Sequence, residues 1–314
     1  KPQDNEKPEL VLHKIRTKHT ILANGHIERF ITFRNNDLPG VMLAASFEKY
    51  LNRYGVIPDE SPVIFTNNSS TFSLLKSLTD LGHKPRAYVD IRDQKNIEKE
   101  TVDLLEKFNI PFYPKSEVEG CEGQKEVKKV SIRTKKNQIT KIKTSMLCLS
   151  GGFNPDIHLF TQSKGLLSWD KDLLTFKPDR IFQKTITLGS VSGNFSYEKL
   201  LVEVEKKLSE FEGLNELEVK FELNGPEKFQ IKELWETKHE KKSLWSKSFI
   251  DLQNDVTTKD LKQAVSEGFN RIEHLKRFTT NSMGTDQGKI SSINSLGIVS
   301  KLLKKSISEV GTTT

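Results

Sequence analysis

The chain has 314 residues, of which 35% are hydrophobic, enough apolar material for two or three small cores. Its net charge of +7 is spread through helices and hairpins among glutamates, which reads as solvated surface and excludes a basic nucleic-acid face of arginines and aromatics. No apolar run approaches the about 20 residues of a membrane helix, and two cysteines, Cys121 and Cys148, exclude both a disulfide framework and a thiolate metal site.

Free thiols point to a reducing compartment, and no signal peptide is visible. The Lys1 start and the bare Thr312-Thr313-Thr314 close suggest a piece of a longer polypeptide. Residues 1–10 read as polar and frayed, and Val11-Leu12-His13-Lys14-Ile15 alternates as a strand would. A short apolar strand over 20–25 then ends in Ala23-Asn24-Gly25. A strand ending in small residues lets the backbone pass close to something flat or charged, because Gly25 has no side chain.

Asn36 to Val41 is a turn, and Met42 to Tyr54 reads as an amphipathic helix. Pro62 to Asn68 opens a βαβ unit, with a helix over 70–81 ended by Gly82 and a second strand over 86–90. Asp90 stands where a dinucleotide fold places its ribose-binding acid. The turn itself, Thr66-Asn67-Asn68-Ser69-Ser70, has no glycine for a close pyrophosphate approach. Hydroxyls at the helix N-terminus remain the alternative phosphate donors. The unit therefore reads as Rossmann-like in fold, with its nucleotide binding in question.

A helix over 96–108 and a strand over 110–113 follow, then a hairpin of 127–133 and 138–144 across Lys135-Lys136-Asn137. Met146 to Gly152 is a buried strand ending in glycines, an echo of the strand before Gly25. Two such strand ends flanking an inserted βαβ unit suggest two dinucleotide-type domains. His158 lacks a partner that would make it catalytic and reads as structural. Residues 165–176 form a hairpin, and 185–193 a strand running into a Gly189–Gly193 turn ahead of a helix over 196–211. Residues 214–242 are charged and poorly periodic.

The last part opens with Val256-Thr257-Thr258-Lys259-Asp260-Leu261. Thr257 caps, Asp260 answers it three residues on, and Val256 packs on Leu261. Gly268 divides two short helices, and a loop, Thr279–Lys289, concentrates hydroxyls, an amide and a lysine. A final helix covers 292–310.

Several of these stretches resemble a known family. Ala23-Asn24-Gly25 is similar to the Ala-Thr-Gly strand end of flavin and pyridine-nucleotide disulfide-type oxidoreductases. The C-terminal module resembles a helical 2Fe–2S domain related to bacterioferritin-associated ferredoxin. Where that domain has its four cysteines, this chain has Asp251, Gln253, Asp286 and Ser291, so iron lacks the thiolates it needs. The cysteine-free pattern DLQNDVT, EHLKRFTT and MGTDQGK, together with DLPGVMLAASFEKYLNRYGV, resembles the α subunit of heterotetrameric sarcosine oxidase. The likeness runs from Val11 to about Lys305.

The resemblance implies an α/β fold of FAD/NAD(P)-binding, Rossmann-like domains of the disulfide-reductase type with an inserted βαβ unit, followed by a small all-α module. Residues 1–60 and 145–213 would belong to the first nucleotide-binding domain and 61–144 to the inserted unit. Residues 214–245 would connect them to the helical module at 246–310. It also implies a cytoplasmic oxidoreductase acting on sarcosine with β, γ and δ partner subunits, and with no nucleic-acid or membrane partner. NAD would bind on this subunit, FMN at the α/β interface, and FAD and tetrahydrofolate elsewhere in the complex, with no iron–sulfur cluster here. The expected NAD-side residues are Ala23, Asn24, Gly25, Gly189, Ser190 and Gly193. Thr279, Thr280, Gln287 and Lys289 would face the FMN phosphate, with no catalytic residue in this stretch and no metal. The alternatives are an α subunit of a related amino-acid or opine dehydrogenase, which often keeps the cysteines, and a non-catalytic interaction subunit with a decayed nucleotide site.

Overall fold

The first half of the chain is built on a parallel sheet in which the last strand to arrive is an inner one, second from an edge. The computed structural model describes residues 10–208, 229–238 and 242–311. It opens with β1 (Thr20–Leu22), β2 (His26–Glu28) and β3 (Val41–Leu43). Then come α1 (Ala44–Tyr54), β4 (Val63–Thr66), α2 (Phe72–Asp80), β5 (Ala87–Asp90), α3 (Lys99–Lys107) and β6 (Phe112–Pro114). An antiparallel meander of β7 (Glu117–Glu122), β8 (Lys129–Arg133) and β9 (Ile139–Lys143) leads to β10 (Leu147–Ser150). The sheet order is β3-β10-β4-β5-β6, with every neighbouring pair parallel. The expected α/β, Rossmann-like class is what the chain adopts.

Burial on both faces explains the unbroken apolar runs of these strands. Val63, Phe65, Val89 and Leu149 face the meander, where Val118, Val130 and Ile132 complete one core. Ile64, Tyr88 and Cys148 face the helices and pack with Phe47, Leu74 and Leu105. The turn between β8 and β9 works because Asn137 tolerates a left-handed φ of 61°.

The remaining strands make smaller pieces. β11 (Phe153–Pro155) pairs antiparallel with β2. α4 (His158–Gln162) leads to the hairpin of β12 (Leu166–Asp170) and β13 (Thr175–Arg180). β14 (Thr185–Thr187) lies parallel to β1, and a 3-10 turn over Gly189–Ser192 precedes α5 (Tyr197–Leu208).

The C-terminal module consists of β15 (Phe249–Asp251), β16 (Val256–Thr257), α6 (Thr258–Ser266), α7 (Ile272–Thr279), α8 (Ser292–Leu303) and α9 (Ile307–Val310). The Thr257 amide donates to Asp260 Oδ2 at 2.8 Å, as the capping pattern requires. Val256 and Leu261 are both buried beside this cap. Gly268, at φ 95°, closes α6. The module shares one core with Ile157 and Phe176 of the strand region, and Trp235 stands inside it.

Several expectations are revised. Residues 11–15 form no strand, and Val11, Leu12 and Ile15 are exposed, because no neighbouring strand offers them a ladder. Met42 and Leu43 belong to β3, so the helix expected from 42 begins at Ala44. β3 and β10 flank the unit assigned to 61–144, yet both hydrogen bond in the same sheet as β4. The single helix expected over 292–310 breaks at Lys304, with φ 54°, because Ser306 and Glu309 cap a new helix. Of the expected helix over 196–211, residues 209–211 lie outside the described residues, as do 1–9, 214–228 and 239–241 of other expected segments.

Candidate functional site

The crevice above β4 and β5 is where an open α/β sheet normally receives a nucleotide. Here the protein's own side chains fill it. Asp90 is fully buried and takes both ends of the Arg92 guanidinium, with Nη2 to Oδ2 at 2.8 Å and Nε to Oδ1 at 3.2 Å. Arg92 also reaches Glu98 at 3.2 Å and the Asn68 carbonyl at 3.0 Å. Burial works against the Arg92 cation, but Asp90 and Glu98 more than compensate and hold its pKa above the ordinary value. The hydroxyls of the turn are equally committed. Thr66 Oγ1 donates to the Asn68 carbonyl at 3.0 Å, Ser70 Oγ meets Ser150 Oγ at 2.9 Å, and Ser69 Oγ donates to Glu98.

Residues 229–232 then cross the turn. The Ser69 amide donates to the Gln230 carbonyl at 3.1 Å, and the Lys232 amide to the Asn67 carbonyl at 2.8 Å. The acid expected for a ribose is thus spent on Arg92, and a diphosphate has neither glycines nor free hydroxyls to approach. These residues do not fit NAD in the usual pose. Sequence reasoning saw the missing glycines; the guanidinium that replaces the sugar was not visible, because its partners are dispersed along the chain.

The two residue sets singled out by sequence meet at a residue that was not. Asn24 Nδ2 donates to the Asp156 carbonyl, and the Asp156 amide donates to the Gly25 carbonyl at 3.0 Å. The Asp156 carboxylate in turn holds Lys289 Nζ at 3.2 Å and His158 Nδ1 at 3.0 Å. Burial opposes ionisation of Asp156, but His158 and Lys289 outweigh it and lower its pKa. Ala23 and Asn24 are exposed, and Gly25 sits at φ 85°, the left-handed region that favours glycine. Gly189, Ser190 and Gly193 lie alongside, because β1 and β14 run in register and the Leu188 amide donates to the Leu22 carbonyl at 2.9 Å. The Gly189 amide, expected to aim at a nucleotide, donates to Glu203 Oε2 at 3.4 Å. Ser190 lines a cavity of about 380 Å³.

The four loop residues divide in two. Gln287 and Lys289 line a small cavity of about 40 Å³ with Asn154 and His158. Thr279 and Thr280 lie at the end of α7, where Thr279 Oγ1 donates to the Leu275 carbonyl at 2.9 Å. His158, read as structural, holds Asp156 and lines the same small cavity as Lys289.

The former cluster positions are knitted into the loop. Asp251 accepts the Gln253 and Ser282 amides at 2.9 and 2.7 Å, and Ser291 Oγ meets Ser282 Oγ at 2.8 Å. Gln253 Oε1 accepts Thr285 Oγ1 at 2.9 Å, and Asp286 accepts the Gly288 amide at 3.1 Å. Hard oxygen donors already engaged with N–H and O–H groups do not fit an iron–sulfur cluster.

Glu28 is a second residue that sequence gave no reason to notice. It is buried at the end of β2 and accepts the amide of Ala45, at the start of α1, at 2.8 Å. Burial pushes its carboxyl up to about 8, with Ser150 and the Ala45 amide pulling the other way. The sign of the linkage follows. The unfolded chain releases this proton near 4.5 and the folded chain near 8, so the stabilisation is complete below about 4.5 and is lost as pH rises to about 8. Glu28→Gln keeps an acceptor for Ala45 and should remove about one proton from the pH slope of unfolding between these limits. Urea titrations at pH 5, 6.5 and 8 check this; parallel slopes for the two proteins refute it.

Comparison with known proteins places the chain. Residues 245–314 match the sarcosine oxidase A3 domain family. The sarcosine oxidase subunit alpha of Rhizobium meliloti is 32% identical over 96% of this chain and 30% of its own length. That of Corynebacterium sp. strain P-1 is 27% identical over 96% of this chain and 32% of its own length. The chain thus spans about a third of the length of the curated relatives it matches. The crystal structure of L-proline dehydrogenase from P. horikoshii superposes with a TM-score of 0.62 at 21% identity, over 93% of this chain and 55% of that one, a likeness of fold.

Proposed function

Because this chain is homologous over 96% of its length to sarcosine oxidase α subunits, we propose that it works inside an oxidoreductase complex that demethylates sarcosine to glycine. In this reading β, γ and δ subunits are its partners, and FAD on the β subunit takes the electrons from the amine. FMN at the α/β interface passes them to oxygen, and tetrahydrofolate takes up the one-carbon unit. This reading includes a cytoplasmic complex. No helix among the described residues is long and apolar enough to cross a membrane. The stretch described here supplies two surfaces and no catalytic group. Ala23, Asn24 and Gly25, with Gly189, Ser190 and Gly193, serve the NAD side. Lys289 and Gln287, with Thr279 and Thr280 further along the loop, face the FMN phosphate.

The observation that carries this reading is the position of Asp156. One half-buried residue holds the strand end through its backbone and the loop lysine through its carboxylate. It fixes the Lys289 ammonium while leaving other N–H donors of that group available to an anion. Lys289→Met in the assembled complex should weaken FMN retention about tenfold or more, the worth of one charge-assisted hydrogen bond. Lys289→Arg should restore part of it. Unchanged FMN content after dialysis of Lys289→Met sinks this assignment.

A different reading is favoured for the β4–β5 crevice alone. The Asp90–Arg92–Glu98 cluster and the crossing residues 230–232 support a unit that contributes packing and has ceased to hold a nucleotide.

A further inference from the structure

The cavity of about 380 Å³ lies between the N-terminal ends of α1 and α2 and the turn after β14, a volume suited to a small molecule. Its wall is aromatic. The Phe153 ring lies 4.1 Å from His26, 5.3 Å from Phe195 and 5.5 Å from Phe229, centroid to centroid. Phe72 of α2 contributes a further ring. Its polar lining is mostly serine hydroxyls, Ser73 and Ser190 among them, with the Glu48 carboxylate, the Asn194 amide, His26 and Lys76. Ser73 already donates its hydroxyl to Glu48, which keeps that carboxylate turned toward α2.

The charge of this lining argues against a phosphate. Lys76 is paired with Asp80 at 2.5 Å one turn along α2. The Ser70 amide donates to Asn68 Oδ1 at 2.9 Å and the Phe72 amide to the Ser69 carbonyl at 3.3 Å, so two N–H groups at the helix start are spent. An anion entering here meets the Glu48 carboxylate, whereas a flat ring meets phenylalanine faces and a sugar meets hydroxyl and carboxylate acceptors.

We propose that this cavity binds an uncharged nucleoside-type ligand, its heteroaromatic ring among the phenylalanines and its hydroxyls toward Ser73, Ser190 and Glu48. The site shares Ser69 and Ser70 with the β4–β5 turn and Ser190 with the NAD-side set, but no residue with the loop at Lys289, and it stands whether or not FMN sits at that loop.

Amide hydrogen exchange of the full chain, with adenosine and ADP as probes at matched concentrations, tests this. Adenosine should slow exchange over residues 69–73 and 194–196, with ADP at least about tenfold weaker there. Phe72→Ala should weaken adenosine about tenfold, the worth of one lost stacking partner, and Glu48→Gln should narrow the gap between the probes. Tighter protection of these amides by ADP overturns the proposal, as does adenosine protection that Phe72→Ala leaves unchanged. Protection confined to 23–25 and 189–193 also overturns it, and leaves the NAD-side assignment of that strand end standing.

Discussion

Arg92→Met should lower the unfolding free energy by about 3–5 kcal/mol, because it removes one partner of a buried ion cluster. Asp90 has no exposure and Arg92 has 3%. Methionine fills most of the volume, so the loss is electrostatic: Asp90 and Glu98 are left facing each other without the guanidinium. Burial already raises the Asp90 pKa, with Arg92 pulling against it. Without Arg92 the folded Asp90 keeps its proton to a higher pH than the unfolded one. Its contribution is then fully present below the unfolded pKa and lost as pH rises through the folded one. The deficit of the variant against wild type should therefore shrink toward pH 4, and denaturation curves at pH 4.5 and 7.5 give it directly. A deficit independent of pH, or below about 1 kcal/mol, would mean that the cluster is not what seals this crevice.

Trp235→Ala should cost a similar amount, about 3–5 kcal/mol, through the cavity it leaves. Trp235 is 1% exposed and stands where three parts of the fold meet. Its carbonyl accepts the Thr32 amide at 3.0 Å, and its ring covers the Arg29 guanidinium at 5.0 Å. Arg29 is buried and donates to the Gly151 and Leu174 carbonyls, without a carboxylate partner in the described residues. Gly297 of α8 lies so near that a Cβ there would come within 2.3 Å of Trp235 Cδ2. The truncation should loosen the α8 contact first. Hydrogen exchange in α8 is expected to accelerate more than in β4, and uniform acceleration across both would contradict this packing role.

The parts of this fold that were legible in the sequence are those fixed by neighbours in the chain. Val63-Ile64-Phe65 and Ala87-Tyr88-Val89 read as the two strands of a βαβ unit and are strands, buried on both faces. Thr257 and Asp260 announced α6, and Gly268 its end. The glycines after β10 were read as an echo of the strand end at Gly25, and they mark a close approach of the chain to itself: a Cβ on Gly151 would lie 2.5 Å from the Phe30 carbonyl oxygen. Illegible were the features set by distant partners. Asp90 at a strand end has the same local sequence whether it awaits a ribose or grips Arg92. Asp156 follows an Asn-Pro pair with no periodic signal, and only the approach of Gly25 and Lys289 gives it a role. Among the loop residues, Gln287 and Lys289 share a cavity while Thr279 and Thr280 do not, a division that depends on where α7 ends.

The place of β10 in the sheet bears on how the chain is made. Leu147–Ser150 is synthesised after β3, β4, β5 and β6, yet it fills the gap between β3 and β4. Ribosomes add roughly 5–20 residues per second, so two apolar strand edges wait for seconds with their backbone groups unpaired. During that interval β4, β5 and β6 are able to assemble, whereas β3 and α1 have no strand to dock against. The nascent polypeptide therefore carries an open slot between β3 and β4, with unpaired strand edges of the kind that pair with other chains until Leu147–Ser150 fills it.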